Sequence, residues 1–223
     1  AAGLGDSCAA LPALQLVCTG ALALDARDTA IYLPWLAAQR AAGRCVVVDA
    51  NLRPSVMPDL PAYRSAVHAA LAHAHIIKAS DEDLEHLAVP GADALARAQH
   101  PPAANPQAHL LAPTLGATGA WLLHRNGAPC FAKEAHPLQV VDTVGAGDSF
   151  LAGLLTHLLR QSQSTTVSSF VQFVDTLSAD AGRQALHHGL ASASLCVMEQ
   201  GCVPPVWQAA ADWACMHLAL HAQ

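Results

Sequence analysis

The chain has 223 residues, 53% of them hydrophobic and 13% charged, with a formal net charge of -6. That is enough apolar chain for a sizeable buried core, which excludes an intrinsically disordered segment. With 11 Lys and Arg against 17 Asp and Glu, no basic face is available for nucleic acid or anionic lipid, and no run of about 18 strongly apolar residues reads as a membrane span.

The elements follow in chain order. Residues 14–24 (LQLVCTGALAL) read as a buried strand and its exit, and residues 28–42 as a helix, with Ile31, Leu33, Trp35 and Leu36 apolar and Gly43 as its stop. RCVVVDAN is a second strand, too continuously apolar for a sheet with one wet face. After the turn NLRPSVMPDLP comes a helix over residues 62–74, then AHIIKAS as a third strand. SDEDLEHL reads as a helix opened by Ser80, with Asp83 at its third position as in a capping box. A proline-rich loop, HPPAANPQ, leads to the strand AHLLAPTLG and to a hairpin turned at Asn126-Gly127. A further strand is expected to end near Asp142. Helices are expected over 148–159, 167–181 and 182–199, and from Pro205 onward. Strands alternating with helices are the pattern of βαβ units in a parallel sheet with helices on both faces, so the expectation is a single α/β domain.

Seven cysteines (Cys8, Cys18, Cys45, Cys130, Cys196, Cys202, Cys215) are scattered and never spaced C-x-x-C. This argues against a zinc ribbon and a disulfide framework and fits a reducing cytoplasm. The N-terminal AAGLGDSCAALP has no basic start or long apolar stretch of a signal peptide, and it lacks an initiator Met, which leaves room for chain upstream. His68, His73 and His75 are close in sequence, but no carboxylate or thiolate nearby completes a metal shell, so they read as surface positions near a helix end.

The stretch VVDTVGAGDSFLAGLL (residues 140–155) carries the chemistry. Gly145 and Gly147 permit a tight turn, and Leu151, Leu154, Leu155, Leu158 and Leu159 mark one face of the helix that follows. Amides of Gly145, Ala146 and Gly147 at a helix N-terminus form a ready anion site. A Walker A loop requires Lys where Asp148 stands, and a dinucleotide fingerprint requires a small residue where Phe150 stands; both readings fail. Asp148 as a first-turn residue is explained by helix capping alone. It also suits a general base that takes a proton from an alcohol while the amides hold the phosphoryl group it attacks.

DTVGAGD (residues 142–148) resembles the signature of the ribokinase-like, or pfkB, carbohydrate kinases. LVCTGALAL, VVVDANLRP, IIKASDEDL, PTLGATGAWLL and SASLCVMEQGCVPP resemble further stretches in that family's order and together cover nearly the whole chain. DANLRP followed by KASDEDL is most similar to the fructokinase and 2-keto-3-deoxygluconate kinase branch. The resemblance implies a ribokinase-like fold, a doubly wound and mostly parallel sheet. It further implies γ-phosphoryl transfer from ATP, with Mg2+ and K+, to a sugar hydroxyl. Fructose is the first expectation; the alternatives are 2-keto-3-deoxygluconate and a non-catalytic nucleotide-binding fragment. Its partners are then the sugar and ATP, with no nucleic acid and no membrane, and a homodimer of the full-length form is left open.

By the same resemblance, Asp148 is the base and Gly145, Ala146 and Gly147 the anion hole. Asp49, Asn51 and Arg53 face the sugar and phosphates, the alternative for Arg53 being a solvated surface arginine. Lys78, Ser80 and Asp83 match a nucleotide- and magnesium-organising K-x-N-x-x-E segment, with Ser in place of Asn and Asp in place of Glu; a capping box explains Ser80 and Asp83 as well. Thr114, Gly116 and Gly119 match a nucleotide-binding turn, the alternative being a plain glycine turn. Asp142 and Val144 match a loop that holds a monovalent cation. The family's N-terminal Gly-Gly signature, several sugar contacts and its β lid have no counterpart before Leu14, so the chain looks N-terminally truncated.

Overall fold

The computed structural model describes residues 13–99, 105 and 108–221. The N-terminal stretch and all of the expected proline-rich loop except Asn105 lie outside the described residues. The chain divides into two compact units, residues 1–112 with 168–175, and residues 113–167 with 176–223.

In the first unit β1 (Leu16–Gly20), β2 (Cys45–Asp49) and β3 (Ile76–Ser80) follow one another across a parallel sheet. Val17 lies beside Val46, and Val47 beside Ile76. All five residues of β2 are buried, as its unbroken apolar run requires when both faces of a sheet are covered. The crossovers are α1 (Thr29–Ala41) and α2 (Leu60–Leu71). α2 begins two residues before the expected start because Asp59 caps it, its carboxylate accepting from the Ala62 amide at 2.9 Å, with Pro61 in the first turn. α3 (Asp81–His86), α4 (Ala94–Gln99) and, after an excursion through the second unit, α6 (Phe170–Asp175) complete this unit. Buried Asn105 donates to the carbonyls of Leu71 and Ala74, both at 2.7 Å, closing the C-terminal end of α2.

His75 departs from its expected surface position. It is 5% exposed, its Nδ1 accepts from the Val46 amide at 2.9 Å, and its ring stacks on His109 with centroids 5.5 Å apart. The residue sits at the mouth of β3, where its own amide donates to Val46 and its carbonyl accepts from His109; it belongs to the sheet and not to the helix before it.

β4 (Leu110–Thr114) carries the chain into the second unit. There β5 (Ala120–His124) and β6 (Cys130–Glu134) form the expected antiparallel hairpin, with Trp121 opposite Phe131. β7 (Leu218–His221) pairs antiparallel with β6, a strand where a continuing helix was expected. α5 (Ala146–Gln163) lies along α7 (Ala179–Val197), burying Phe150, Leu154 and Leu158. Each such side chain contributes about 1.5–3 kcal/mol, so α5 is held firmly from its first turn. α8 (Trp207–His217) packs on α7.

Two further sequence expectations are corrected. The helix expected over residues 167–181 is broken, because Ser178 accepts from the Ala181 amide at 3.2 Å and starts α7 there, which puts Gly182 inside that helix. The strand expected to end at Asp142 does not form. Val140 and Val141 are 54% and 57% exposed, and the amides of Val141 and Asp142 donate to the Val197 carbonyl. Two valines just after Pro137 are too short a run to add a strand. Among the described residues, no helix is long and apolar enough to cross a membrane.

Candidate functional site

The candidate residues fall into two clusters, one in each unit. In the first, Asp49 at the end of β2 and Lys78 in β3 stand opposite each other in the sheet register. Lys78 Nζ lies 3.1 Å from Asp49 Oδ1, with the side chains 4% and 8% exposed. An ion pair this buried is costly to break, because either partner alone is left as an uncompensated charge. The Ala50 amide donates to the Lys78 carbonyl at 2.9 Å.

Asp83 adds a second brace. Its Oδ2 accepts from the Ser80 amide and its Oδ1 from the Leu52 amide, each at 2.7 Å, while Ser80 Oγ accepts from the Asp83 amide at 3.0 Å. The capping box read from sequence is therefore present, and it also fastens the 51–53 segment. Asp83 is 4% exposed and both its oxygens serve amides, so it does not fit as a magnesium ligand. Asn51 holds a left-handed backbone, φ 36°, and Arg53 is exposed, its Nη1 donating to the Leu52 carbonyl at 3.0 Å.

In the second unit, Thr114 ends β4 and the chain turns through Gly116 (φ 53°) and Gly119 (φ 124°). A side chain at Gly119 would strike the Ala132 carbonyl of β6, so packing and conformation alone demand glycine there. The turn is closed by the Leu115 amide donating to the Gly119 carbonyl at 2.9 Å.

The motif of residues 142–148 forms the entry to α5. Asp142 Oδ1 accepts from the Val144 amide and Oδ2 from the Gly201 amide, both at 3.0 Å. Those bonds hold the Asp142 carboxyl below the usual carboxylate range. With its side chain spent on amides, a cation at this loop would rest on the backbone carbonyls of Asp142 and Val144. Gly145 is the N-cap at φ 80°, and no side chain caps the helix. The left-handed turn thus sits at Gly145, while Gly147 lies inside the first helical turn.

The Ala146 amide donates to the Thr143 carbonyl at 3.3 Å, which removes one of the three expected anion-hole donors. The amides of Gly145, Gly147 and Asp148 make no hydrogen bond among the described residues, so two of the expected donors stay open and Asp148 adds a third. Asp148 is exposed and its carboxylate makes no hydrogen bond or ion pair among the described residues. Open amides beside an open carboxylate at the start of an 18-residue helix can hold an anion and accept a proton from a group attacking it.

Sequence reasoning missed two neighbours of this turn. Cys202 packs against Gly145 so closely that any side chain there would collide with its sulfur, and Cys196 Sγ donates to the Val144 carbonyl at 3.8 Å. They stand more than 50 positions from the turn, and no local pattern announces them.

A family model described as pfkB family carbohydrate kinase matches residues 3–209. A fructokinase of Rhizobium leguminosarum bv. trifolii is 36% identical over 155 residues, which is 70% of this chain and 44% of the relative. A fructokinase of Klebsiella pneumoniae is 34% identical over 142 residues, 64% of this chain and 45% of the relative. The chain thus spans about half the length of the curated relatives it matches. Among solved structures, fructokinase with bound ATP from Xylella fastidiosa superposes with a TM-score of 0.70 at 23% identity, over 90% of this chain and 59% of that one. A double mutant of fructokinase from Vibrio cholerae O395, in a form with fructose, ADP and potassium ion bound, gives a TM-score of 0.63 at 20% identity, over 85% of this chain and 56% of that one. At such identities the likeness establishes the shared α/β fold.

Proposed function

The chain belongs to the pfkB family of carbohydrate kinases, and from that premise we propose that it is the nucleotide- and base-bearing part of an ATP-dependent fructokinase. The observation that carries the reading is the open entry to α5, where the Gly145, Gly147 and Asp148 amides and the Asp148 carboxylate have no hydrogen-bond partner among the described residues. A polar group left open at a helix N-terminus is suited to a ligand oxyanion.

The reaction is in-line transfer of the ATP γ-phosphoryl group to a sugar hydroxyl. The hydroxyl gives its proton to the Asp148 carboxylate as its oxygen attacks phosphorus, and the open amides stabilise charge on the equatorial oxygens. Arg53, exposed beside Asn51, is assigned to a sugar hydroxyl or phosphate oxygen. Thr114, Gly116 and Gly119 are assigned to the nucleotide. Magnesium enters as the counter-ion of the nucleotide phosphates, and potassium belongs at the carbonyls of Asp142 and Val144. Fructose is chosen as acceptor because the curated relatives quoted above bear the name fructokinase.

A second reading, a nucleotide-binding fragment without sugar turnover, is favoured by one observation: the chain spans 44% of the Rhizobium relative. Holding the hydroxyl in a near-attack position and excluding water both require parts that contact the sugar. The deciding experiment assays ADP formation by the 223-residue chain with fructose and with 2-keto-3-deoxygluconate, alongside ATP titration by calorimetry. Fructose-dependent ADP supports the kinase. ATP binding without sugar-dependent turnover supports the fragment, and absence of both overturns the reading of the turn.

A further inference from the structure

We propose a second ligand site within the second unit, a pocket between α5, α7 and α8 that takes a small hydroxylated anion of the sugar phosphate class. Its volume is about 470 Å³, within the range of pockets that hold small molecules. His157, Arg160, Gln161 and Ser164 reach it from α5 and its C-cap at i, i+3, i+4 and i+7 spacing, Gln184 reaches it from α7, and Trp207 from the start of α8. No carboxylate lines it. It lies apart from the helix entry, because Arg160 stands twelve residues along α5 from Asp148, about 18 Å at the rise of a helix.

A relay of hydrogen bonds fixes which atom is left for a ligand. The Asp180 carboxylate only accepts, so Gln184 turns its Nε2 to it, at 2.8 Å. Gln184 Oε1 then accepts from Gln161 Nε2 at 3.1 Å. Gln161 is left presenting Oε1, which is buried and makes no hydrogen bond among the described residues, and His157 Nδ1 is in the same state. Burial holds His157 below its ordinary value while the nearby Gln184 side chain opposes the shift, so the ring is neutral near pH 7. A buried acceptor with no donor calls for a hydroxyl beside it.

The anion contact comes from Arg160. Its guanidinium lies 4.4 Å from the centre of the Trp207 ring, and that ring is itself stacked with His188, centroids 3.9 Å apart. Stacking orients the planar guanidinium without using its N–H groups, and Arg160 makes no hydrogen bond or ion pair among the described residues. The carbonyls at the end of α5 that would repel an anion are engaged: those of Leu159, Gln161 and Ser162 accept from Ser162 Oγ, the Ser164 amide and the Thr165 amide. A phosphate on Arg160, with sugar hydroxyls on Gln161 Oε1 and His157 Nδ1, satisfies all three groups at once. Neither inorganic phosphate nor a neutral sugar does so. The site does not rest on the reading given under Proposed function.

The experiment titrates the 223-residue chain with fructose 6-phosphate, fructose, inorganic phosphate and gluconate. It follows the heat and the indole N–H resonance of Trp207, identified by its loss in Trp207→Phe. Fructose 6-phosphate is expected to move that resonance and to bind about tenfold or more tightly than the other three, with saturating ATP leaving its affinity unchanged. Arg160→Gln weakens it about tenfold or more, and Gln161→Met removes its advantage over inorganic phosphate. The wild-type titration decides the site even where a variant misfolds. A Trp207 resonance that stays still through millimolar fructose 6-phosphate overturns the site. Equal binding of inorganic phosphate overturns the hydroxyl contacts, and equal binding of fructose overturns the anion contact. Tighter gluconate overturns the choice of phosphate over a sugar acid, and displacement by ATP places the ligand at the helix entry instead.

Discussion

Two clusters of polar residues match family motifs, and they treat their charged atoms differently. In the first unit Lys78 is paired with Asp49 at 3.1 Å, and Asp83 gives both oxygens to amides. In the second, Asp148 and the amides at the helix entry have no hydrogen-bond partner among the described residues. The first arrangement fixes a backbone; the second is available to a ligand. A motif match therefore does not assign equal roles to all its residues. Unit one's carboxylates and lysine hold the 49–53 segment in shape, and what that segment then presents is Asn51 and Arg53.

The largest expected effect is on the open cluster. In a chain that forms ADP with fructose, Asp148→Asn lowers turnover by about 10²–10⁴ and leaves thermal stability nearly unchanged, because that carboxylate supports no other group. Normal turnover in the variant would remove Asp148 as base. Substitutions in the closed cluster should do the reverse. Lys78→Met strands the Asp49 carboxylate in the core and costs about 3–5 kcal/mol in a urea titration, while adding Asp49→Leu recovers most of it. If Lys78→Met instead folds with wild-type stability and loses ATP affinity, Lys78 faces the nucleotide and the comparison breaks. Asp83→Ala leaves the Ser80 and Leu52 amides without acceptors and destabilises by about 1–3 kcal/mol. Weakened magnesium dependence at unchanged stability would restore Asp83 as a metal-organising group.

How far these roles could be read in advance depended on distance along the chain. The Ser80–Asp83 cap is an i, i+3 contact, so four residues of sequence contain it. The Asp49–Lys78 pair depends on strand register across 29 positions, and neither residue's neighbours reveal that each is the other's partner. The helix entry at Gly145 was legible from its glycines and the leucine repeat, but which amides stay open was not. That depends on Thr143 turning its carbonyl to Ala146. The valines before Asp142 misled because a short apolar run carries no information about whether a neighbouring strand edge is there to receive it. β7 was hidden for the converse reason: its pairing with β6 is settled by strand contacts at residues 131–134, beyond any local pattern.

The smallest effect tests whether the two units respond alike to acid. Burial pushes His75 in the first unit and His188 in the second down to about 4. The Arg40 charge and His109 add to the shift at His75, and His157 and Arg160 add to it at His188. Both rings are therefore neutral in the folded protein, while in the unfolded chain each takes a proton near 6.5. Between those values the unfolded state binds more protons, so stability is full near neutrality and is lost as pH falls from about 6.5 toward 4. Each histidine accounts for about 1–2 kcal/mol of that loss by pH 5. Asp142, held below the ordinary carboxylate range, starts to lose its contribution only as pH falls through the unfolded carboxylate value near 3.9, so it adds little to the loss measured at pH 5. Its contribution disappears only in stronger acid, so the loop at Val144 should outlast the histidine sites. Urea midpoints at pH 7.5 and pH 5 measure the total, and imidazole resonances assigned to His75 and His188 show whether each stays neutral to pH 5. A midpoint that does not move, or rings that titrate near 6.5 while the protein is folded, would show that these histidines keep access to water.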